Sequence, residues 1–156
     1  MQRAITQLGL LLGKPVEARS LVREIQARER QVDLALAREP IVSVFVDTGY
    51  FTTVPDQSLI GDVIRIAHGR NVAGGNPEPG PFDLEELARA DPDFYLATSD
   101  ANVALANLRL DPRTKKLRAI RRGKFAIADI ALLAPGPHIG DGIVEVARLL
   151  HPDAFR

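Results

Sequence analysis

The chain has 156 residues, enough to bury roughly two thirds of the surface its unfolded form would expose, so one compact domain with a proper core is expected. Twenty Lys and Arg against twenty Asp and Glu give a net charge of zero, which excludes a global field favouring nucleic acid or an acidic membrane. Cysteine is absent, which excludes disulfides, thiolate zinc sites and a cysteine nucleophile but is compatible with either redox compartment.

No apolar run approaches the roughly 20 residues needed to cross a bilayer, and the amino terminus lacks the basic-then-apolar layout of a signal peptide. Two readings follow: a cytoplasmic chain, or one whose leader lies outside it. Residues 1–12 have an apolar face through Ile5, Leu8 and Leu12, and Gly13 supplies a helix stop. Pro15 suits the first turn of a new helix, and Ala18, Leu21, Ile25, Val32 and Leu36 recur at helical spacing until Pro40 ends it. The stripe is narrow, and Glu24 and Arg28 are placed for an i,i+4 pair. About 24 residues span roughly 36 Å, long for a helix that only covers a small sheet. Beside the ordinary packing helix, a strut between two bodies is therefore a second reading.

The stretch from Pro40 to Phe51 is the one the chain is organised around. Ile41, Val42, Val44, Phe45 and Val46 do not alternate apolar with polar, so both faces of this strand are expected to be covered, as in a parallel α/β sheet. Ligands of such sheets bind beyond the carboxyl ends of the strands, which places Asp47 to Phe51 at the mouth of a crevice. Ser58 is expected to cap a helix through Ala67, and Asn71 to Ala73 is a short strand candidate. Gly74 to Pro81, rich in Pro and Gly around Asn76, reads as a surface loop. Asp83 signals the next helix, with Glu85 and Glu86 in its first turn, and Phe94 to Thr98 is another strand. Ser99 and Asp100 open a third loop and are expected to cap a helix from Ala101 to Leu108.

From Asp111 to Lys124 the chain is basic, but it lacks the interleaved aromatics or phosphate cradle of a nucleic-acid patch, so the run reads as solvated surface. Phe125 to Ala128 is a last strand, and an amphipathic helix from Ile139 to Leu150 follows the Pro135–His138 loop. This order predicts an α/β fold: a doubly wound, mostly parallel sheet flanked by helices and preceded by a long connecting helix. Four crevice loops follow, at Asp47–Ser58, Gly74–Pro81, Thr98–Asp100 and Pro135–His138.

Catalytic signatures are mostly missing. No G-x-S-x-G, G-x-x-x-x-G-K-[ST] or G-x-G-x-x-G follows a strand. His68, His138 and His151 lack metal-ligand spacing, so no metal site and no cofactor are expected. Asp47 lacks the second aspartate that a haloacid-dehalogenase-type enzyme would use, which favours a ligand-contacting or loop-capping role over a nucleophilic one.

The order of Leu8-Gly-Leu-Leu-Leu-Gly13-Lys, the long helix with Glu17-Ala-Arg, the Val-Phe-Val-Asp47 strand, Ser58-Leu-Ile-Gly-Asp-Val-Ile, Gly69-Arg-Asn-Val72, Asp83 to Asp93 and Pro135-Gly-Pro-His-Ile-Gly-Asp-Gly142 resembles the carboxy-terminal part of ABC-transporter substrate-binding proteins. The subgroup is the one serving iron siderophores, haem and cobalamin. The resemblance covers nearly the whole chain. It implies a two-lobed binding protein whose lobes are joined by one long helix, with the ligand in the cleft between them. Residues 1–13 then match the end of an amino-terminal lobe absent from this chain, 14–39 the connecting helix, and 40–156 the carboxy-terminal ligand-binding lobe. It further implies an extracytoplasmic protein, periplasmic or lipid-anchored at the cell surface, with a membrane permease as partner. On this resemblance Glu85 occupies the position that docks to permease arginines, with Glu86 beside it.

Asp47, Tyr50, Phe51, Asn76, Ser99, Asp100 and His138 are the candidate ligand contacts, a set of aromatic and polar side chains suited to a bulky metal chelate or macrocycle. His138 stands where relatives of this kind often have a basic residue after Pro-Gly-Pro. The alternative from another class is a free-standing α/β enzyme using Asp47 and His138, which requires the two to converge. A receiver-type signalling domain lacks the acidic partners expected around Asp47. A lobe that only docks to partners would show a crevice lined by packed apolar side chains.

Overall fold

The computed structural model describes residues 2–156. Helix α1 (Gln2–Leu11) ends at Gly13, whose φ of +68° is the left-handed stop expected there. Helix α2 (Pro15–Leu36) begins on its proline and buries only Ala18, Ile25, Val32 and Leu36, the narrow stripe read from the sequence. That stripe packs on the last helix. The expected Glu24–Arg28 pair does not form: Arg28 reaches across to the Asp141 carboxylate on the neighbouring helix at 3.0 Å while its other amino group donates to Gln31 on its own helix at 3.4 Å. Both side chains are about half exposed, so the bridge contributes little, on the order of 0–1 kcal/mol.

Among the remaining elements, helices separate the successive strands of the main sheet, as in an α/β chain. In order they are β1 (Val42–Asp47), β2 (Thr52–Thr53), α3 (Leu59–Ile66), β3 (Gly69–Asn71), β4 (Gly80–Pro81), α4 (Leu84–Ala90), β5 (Phe94–Thr98), α5 (Leu105–Leu110), α6 (Arg118–Arg122), β6 (Phe125–Ala128), α7 (Ile130–Leu133) and α8 (Ile139–Leu150). Four strands form one wholly parallel sheet in the order β3-β1-β5-β6. Strand β1 lies inside it, and its side chains divide between two cores. Val44 and Val46, with Leu96, face α2, α3, α7 and α8, while Phe45, with Tyr95, faces α4, α5 and α6. The absence of alternation in β1 is thus explained by helices on both faces.

Several local expectations shift. The second sheet strand is Gly69–Asn71 rather than Asn71–Ala73, because Val42 to Val44 pair with it two residues earlier than the apolar run suggested. The Gly74–Pro81 loop is not wholly unpaired: Gly80 and Pro81 form a two-residue antiparallel ribbon with Thr53 and Thr52. Helix α5 starts at Leu105, behind Ala104, which makes no side-chain cap. Ser99 and Asp100 therefore do not cap it, and the intervening turn runs through Asn102 at φ +54°. The basic run is partly built into the fold, since Arg118 opens α6 and binds Asp91 at 3.3 Å and Asp93 at 2.5 Å.

Candidate functional site

The chain leaves β1 for β3 on one side and returns past it to β5 on the other, so the ends of β1 and β5 flank the topological switch point, where open α/β sheets bind ligands. Asp47 closes β1 there. Its carboxylate is buried, with Oδ1 accepting the backbone N–H groups of Gly49 at 2.8 Å and Phe51 at 3.2 Å. Oδ2 accepts the Tyr95 hydroxyl at 2.5 Å. Of its two sequence readings, the geometry is that of a loop cap rather than a side chain facing solvent.

That cap holds an unusual turn. Gly49, Tyr50 and Phe51 have φ values of +125°, +52° and +60°. The two aromatic residues carry a backbone cost of about 1–3 kcal/mol each, which persists only where the surroundings over-determine the conformation. The result is that Tyr50 is 93 % exposed at the carboxyl edge of the sheet. Phe51 lies half-buried beneath the Arg113 guanidinium, 5.5 Å from its ring centroid. Arg113 is held by Asp111 through contacts of 2.6 and 3.0 Å, and hydrogen bonds from Arg113 keep the Asp111 carboxyl low, at about 2. Arg113 is therefore a rim residue that the sequence reading assigned to plain surface; nothing local marks it, because Phe51 lies 62 positions away (113 − 51).

The other loops join this turn directly. The Phe82 N–H donates to the Phe51 carbonyl at 2.9 Å, and the Asp56 N–H to the Gly74 carbonyl at 3.1 Å, so the loops after β1 and β3 are tied on both sides of the β2–β4 ribbon. Asn71 Nδ2 adds a buried bond to the Val54 carbonyl at 2.7 Å. Asn76 is half-buried in the β3 loop. A Cβ on Gly49 would stand 3.7 Å from the Ala101 Cα, which brings the β1 and β5 loops into contact. Ser99 and Asp100 are exposed on the β5 loop, where Ser99 Oγ accepts the Ile130 N–H at 3.1 Å. Ser99 thus secures the start of α7 instead of a helix of its own.

His138 stands apart from this group. The loop that directly follows β6 is Asp129, whose side chain caps α7 through the Ala131 N–H, so Pro135–His138 comes one helix later than the sequence reading assumed. Its imidazole is 70 % exposed and 3.9 Å from Asp141. Asp47, in contrast, is buried and satisfied by three donors, so the two do not form the acid–base pair that the enzyme alternative needs. Pro135, Gly136 and Pro137 instead line an apolar groove of about 630 Å³ with Ile5, Leu8 and Leu21. Among the described residues no cluster of three or more His, Asp or Glu is arranged for a metal, and no helix is long and apolar enough to cross a membrane.

Glu85 and Glu86 are exposed on the first turn of α4, where Asp83 Oδ1 accepts both of their backbone N–H groups at 2.7 and 2.9 Å. Glu86 is drawn toward Arg89 at 3.8 Å; among the described residues Glu85 makes no ion pair.

A family model described as periplasmic binding protein matches residues 1–131. An uncharacterized ABC transporter substrate-binding lipoprotein, YvrC of Bacillus subtilis (strain 168), is 19 % identical over 139 residues, covering 88 % of this chain and 43 % of its own length. An ABC transporter substrate-binding protein of Listeria monocytogenes EGD-e superposes with a TM-score of 0.83 at 20 % identity, over 98 % of this chain and 64 % of that one. The periplasmic heme-binding protein RhuT of Roseiflexus sp. RS-1 superposes with a TM-score of 0.81 at 21 % identity, over 98 % and 62 %. The chain thus spans less than two thirds of each of these relatives. With a parallel, doubly wound sheet and a family match across most of its length, the chain belongs to the periplasmic binding proteins, a family of substrate-binding transport proteins and not of enzymes.

Proposed function

We propose that this chain is the carboxy-terminal lobe and connecting helix of the solute-binding component of an ABC importer, working outside the cytoplasm as a periplasmic or lipid-anchored protein. On this reading residues 1–13 are the end of an amino-terminal lobe, 14–39 the connecting helix, and 40–156 one wall of an interlobe cleft. The ligand is an iron-siderophore, haem or corrinoid-type molecule. Tyr50, Phe51, Asn76, Ser99 and Asp100 form its contacts, His138 lies at the margin, and Asp47 acts from beneath. The observation that carries the reading is the turn at Gly49–Phe51, which spends backbone strain on holding an aromatic ring in solvent. A broad apolar ring with polar neighbours matches a large, conjugated or chelated ligand better than a small ion. Glu85, with Glu86 beside it, docks to arginines of the permease through the bidentate geometry a carboxylate offers.

The test is titration of the protein isolated from its own cells with haemin, ferrichrome and cyanocobalamin, followed by absorbance and calorimetry. Saturable binding of one of them, weakened at least about tenfold by Tyr50→Ala, supports the reading. Failure of all three to bind rejects the ligand class. An isolated mass of 17.0 kDa in the cytoplasmic fraction rejects the two-lobed importer component itself.

A further inference from the structure

We infer that Tyr95 is a positioning residue for ligand capture: acting through Asp47, its buried hydroxyl keeps the Gly49–Phe51 turn in the left-handed form that presents Tyr50. The inference rests on the binding role proposed above for Tyr50. Neither Tyr95 nor Asp47 is accessible to a ligand, with 0 % and 1 % exposure. Their side chains meet across adjacent strands, where Phe45 pairs with Tyr95 and Asp47 with Ala97 in parallel register.

The carboxylate divides its two oxygens between two tasks. Oδ2 takes the Tyr95 hydroxyl, and Oδ1 takes the N–H groups of Gly49 and Phe51, the residues on either side of Tyr50. The ring of Tyr95 is itself clamped, edge-on to Phe45 at 5.3 Å and tilted against Phe125 at 6.0 Å, so the hydroxyl has a fixed point from which to act. Burial, the charge and hydrogen bond of Asp47 and the charge of Asp111 all push the Tyr95 phenol pKa upward, so it stays a donor throughout the physiological range. A carboxylate anchored at one oxygen cannot rotate away from the turn without losing its buried partner. The chain thus carries two tyrosines with complementary tasks, one entirely buried and one almost entirely exposed, linked through a single aspartate.

Tyr95→Phe keeps the ring in its cluster and removes only the hydroxyl. Amide hydrogen exchange, read residue by residue by NMR, is expected to accelerate at least about tenfold at Gly49 and Phe51 while Val44 and Leu96 stay within about twofold. Unchanged exchange at the two turn amides overturns the inference. So does uniform acceleration through the sheet, which marks a purely structural hydroxyl. Should Tyr95→Phe fail to fold, Tyr95→Leu is measured in its place, since it too removes the hydroxyl and leaves the Asp47 carboxylate to the turn; the same local pattern is expected and its absence is equally decisive.

The binding readout uses whichever of haemin, ferrichrome or cyanocobalamin the wild type holds. Tyr95→Phe is expected to raise Kd about tenfold, and the loss is expected not to add to that of Tyr50→Ala, because both act through one ring. Full additivity or an unchanged Kd overturns the positioning role. If the wild type binds none of the three probes, the proposed ligand class fails, and the exchange data alone decide whether the brace exists.

Discussion

His68 and His151 meet edge to face beside the start of β3, with ring centroids 6.4 Å apart and a buried, unpartnered nitrogen on each ring. Burial lowers the pKa of His151 below its ordinary 6.5, an effect strengthened by the charge of His68 and opposed by the backbone of Ala67 and by Glu39. The sign follows directly. Because the folded pKa lies below the unfolded one, the contribution to stability is complete above about pH 6.5 and is lost as pH falls through the folded value. Urea unfolding between pH 7.5 and about pH 5.5 should show falling stability, with a shallower fall in His151→Phe. Equal slopes in the two proteins would exclude His151 as the source.

Ser43 joins β1 to the start of β5. Its hydroxyl donates to Asp93 Oδ2 at 2.6 Å and accepts the Asp93 N–H at 2.9 Å, and this bond is the first cause of the lowered Asp93 pKa, ahead of the nearby Arg118. Ser43→Ala leaves two buried or half-buried partners short, for an expected loss of about 1–3 kcal/mol. Thermal unfolding checks it, and a melting point equal to wild type would remove this contact from the account of stability.

Gly142 lets α8 approach the end of α7, because a methyl group there would run into the Leu132 carbonyl oxygen. Gly142→Ala should therefore cost about 1–3 kcal/mol through a forced shift of backbone against backbone. Since α8 also packs on α2, the variant is expected to lose protection of both helices in hydrogen exchange; loss confined to α7 would contradict that coupling.

Tyr50→Gly separates strain from function. Relief of the left-handed backbone should leave stability unchanged or raise it by up to ~1 kcal/mol, while affinity for the ligand falls. A variant that is clearly less stable would show that the ring packs after all.

Glu85→Ala should reduce uptake by cells with ligand affinity unaltered, and Glu85→Gln should do the same, because the partner is expected to read charge. Reduced ligand affinity with normal uptake machinery would instead place Glu85 in the binding wall.

The framework of the fold was legible because its signals are local. The apolar run at Val42–Val46, Pro15 at a helix start, and Ser58 and Asp83 at their caps act within a few residues of themselves, and the structure carries each of them. What escaped depends on distant partners or on elements too short for a period. Helices α6 and α7 have five and four residues, little more than one turn, so no apolar rhythm distinguishes them from a basic loop and a proline-bounded linker. The partner of Arg28 lies on another helix, and the ribbon at Gly80–Pro81 is visible only once Thr52–Thr53 is brought alongside. In the candidate site, the positions of Tyr50 and Phe51 at a strand end could be read from the chain. The brace from Tyr95, 48 positions from Asp47, could not.

The ribbon between Thr52–Thr53 and Gly80–Pro81 also bears on how such a site changes over generations. An insertion in either loop would slip the register of the other, so length variation here damages two loops for one gain. On the binding role proposed for Tyr50 and Asn76, a change of ligand is therefore expected to come from exchanging those side chains on an unaltered backbone rather than from a change of loop length.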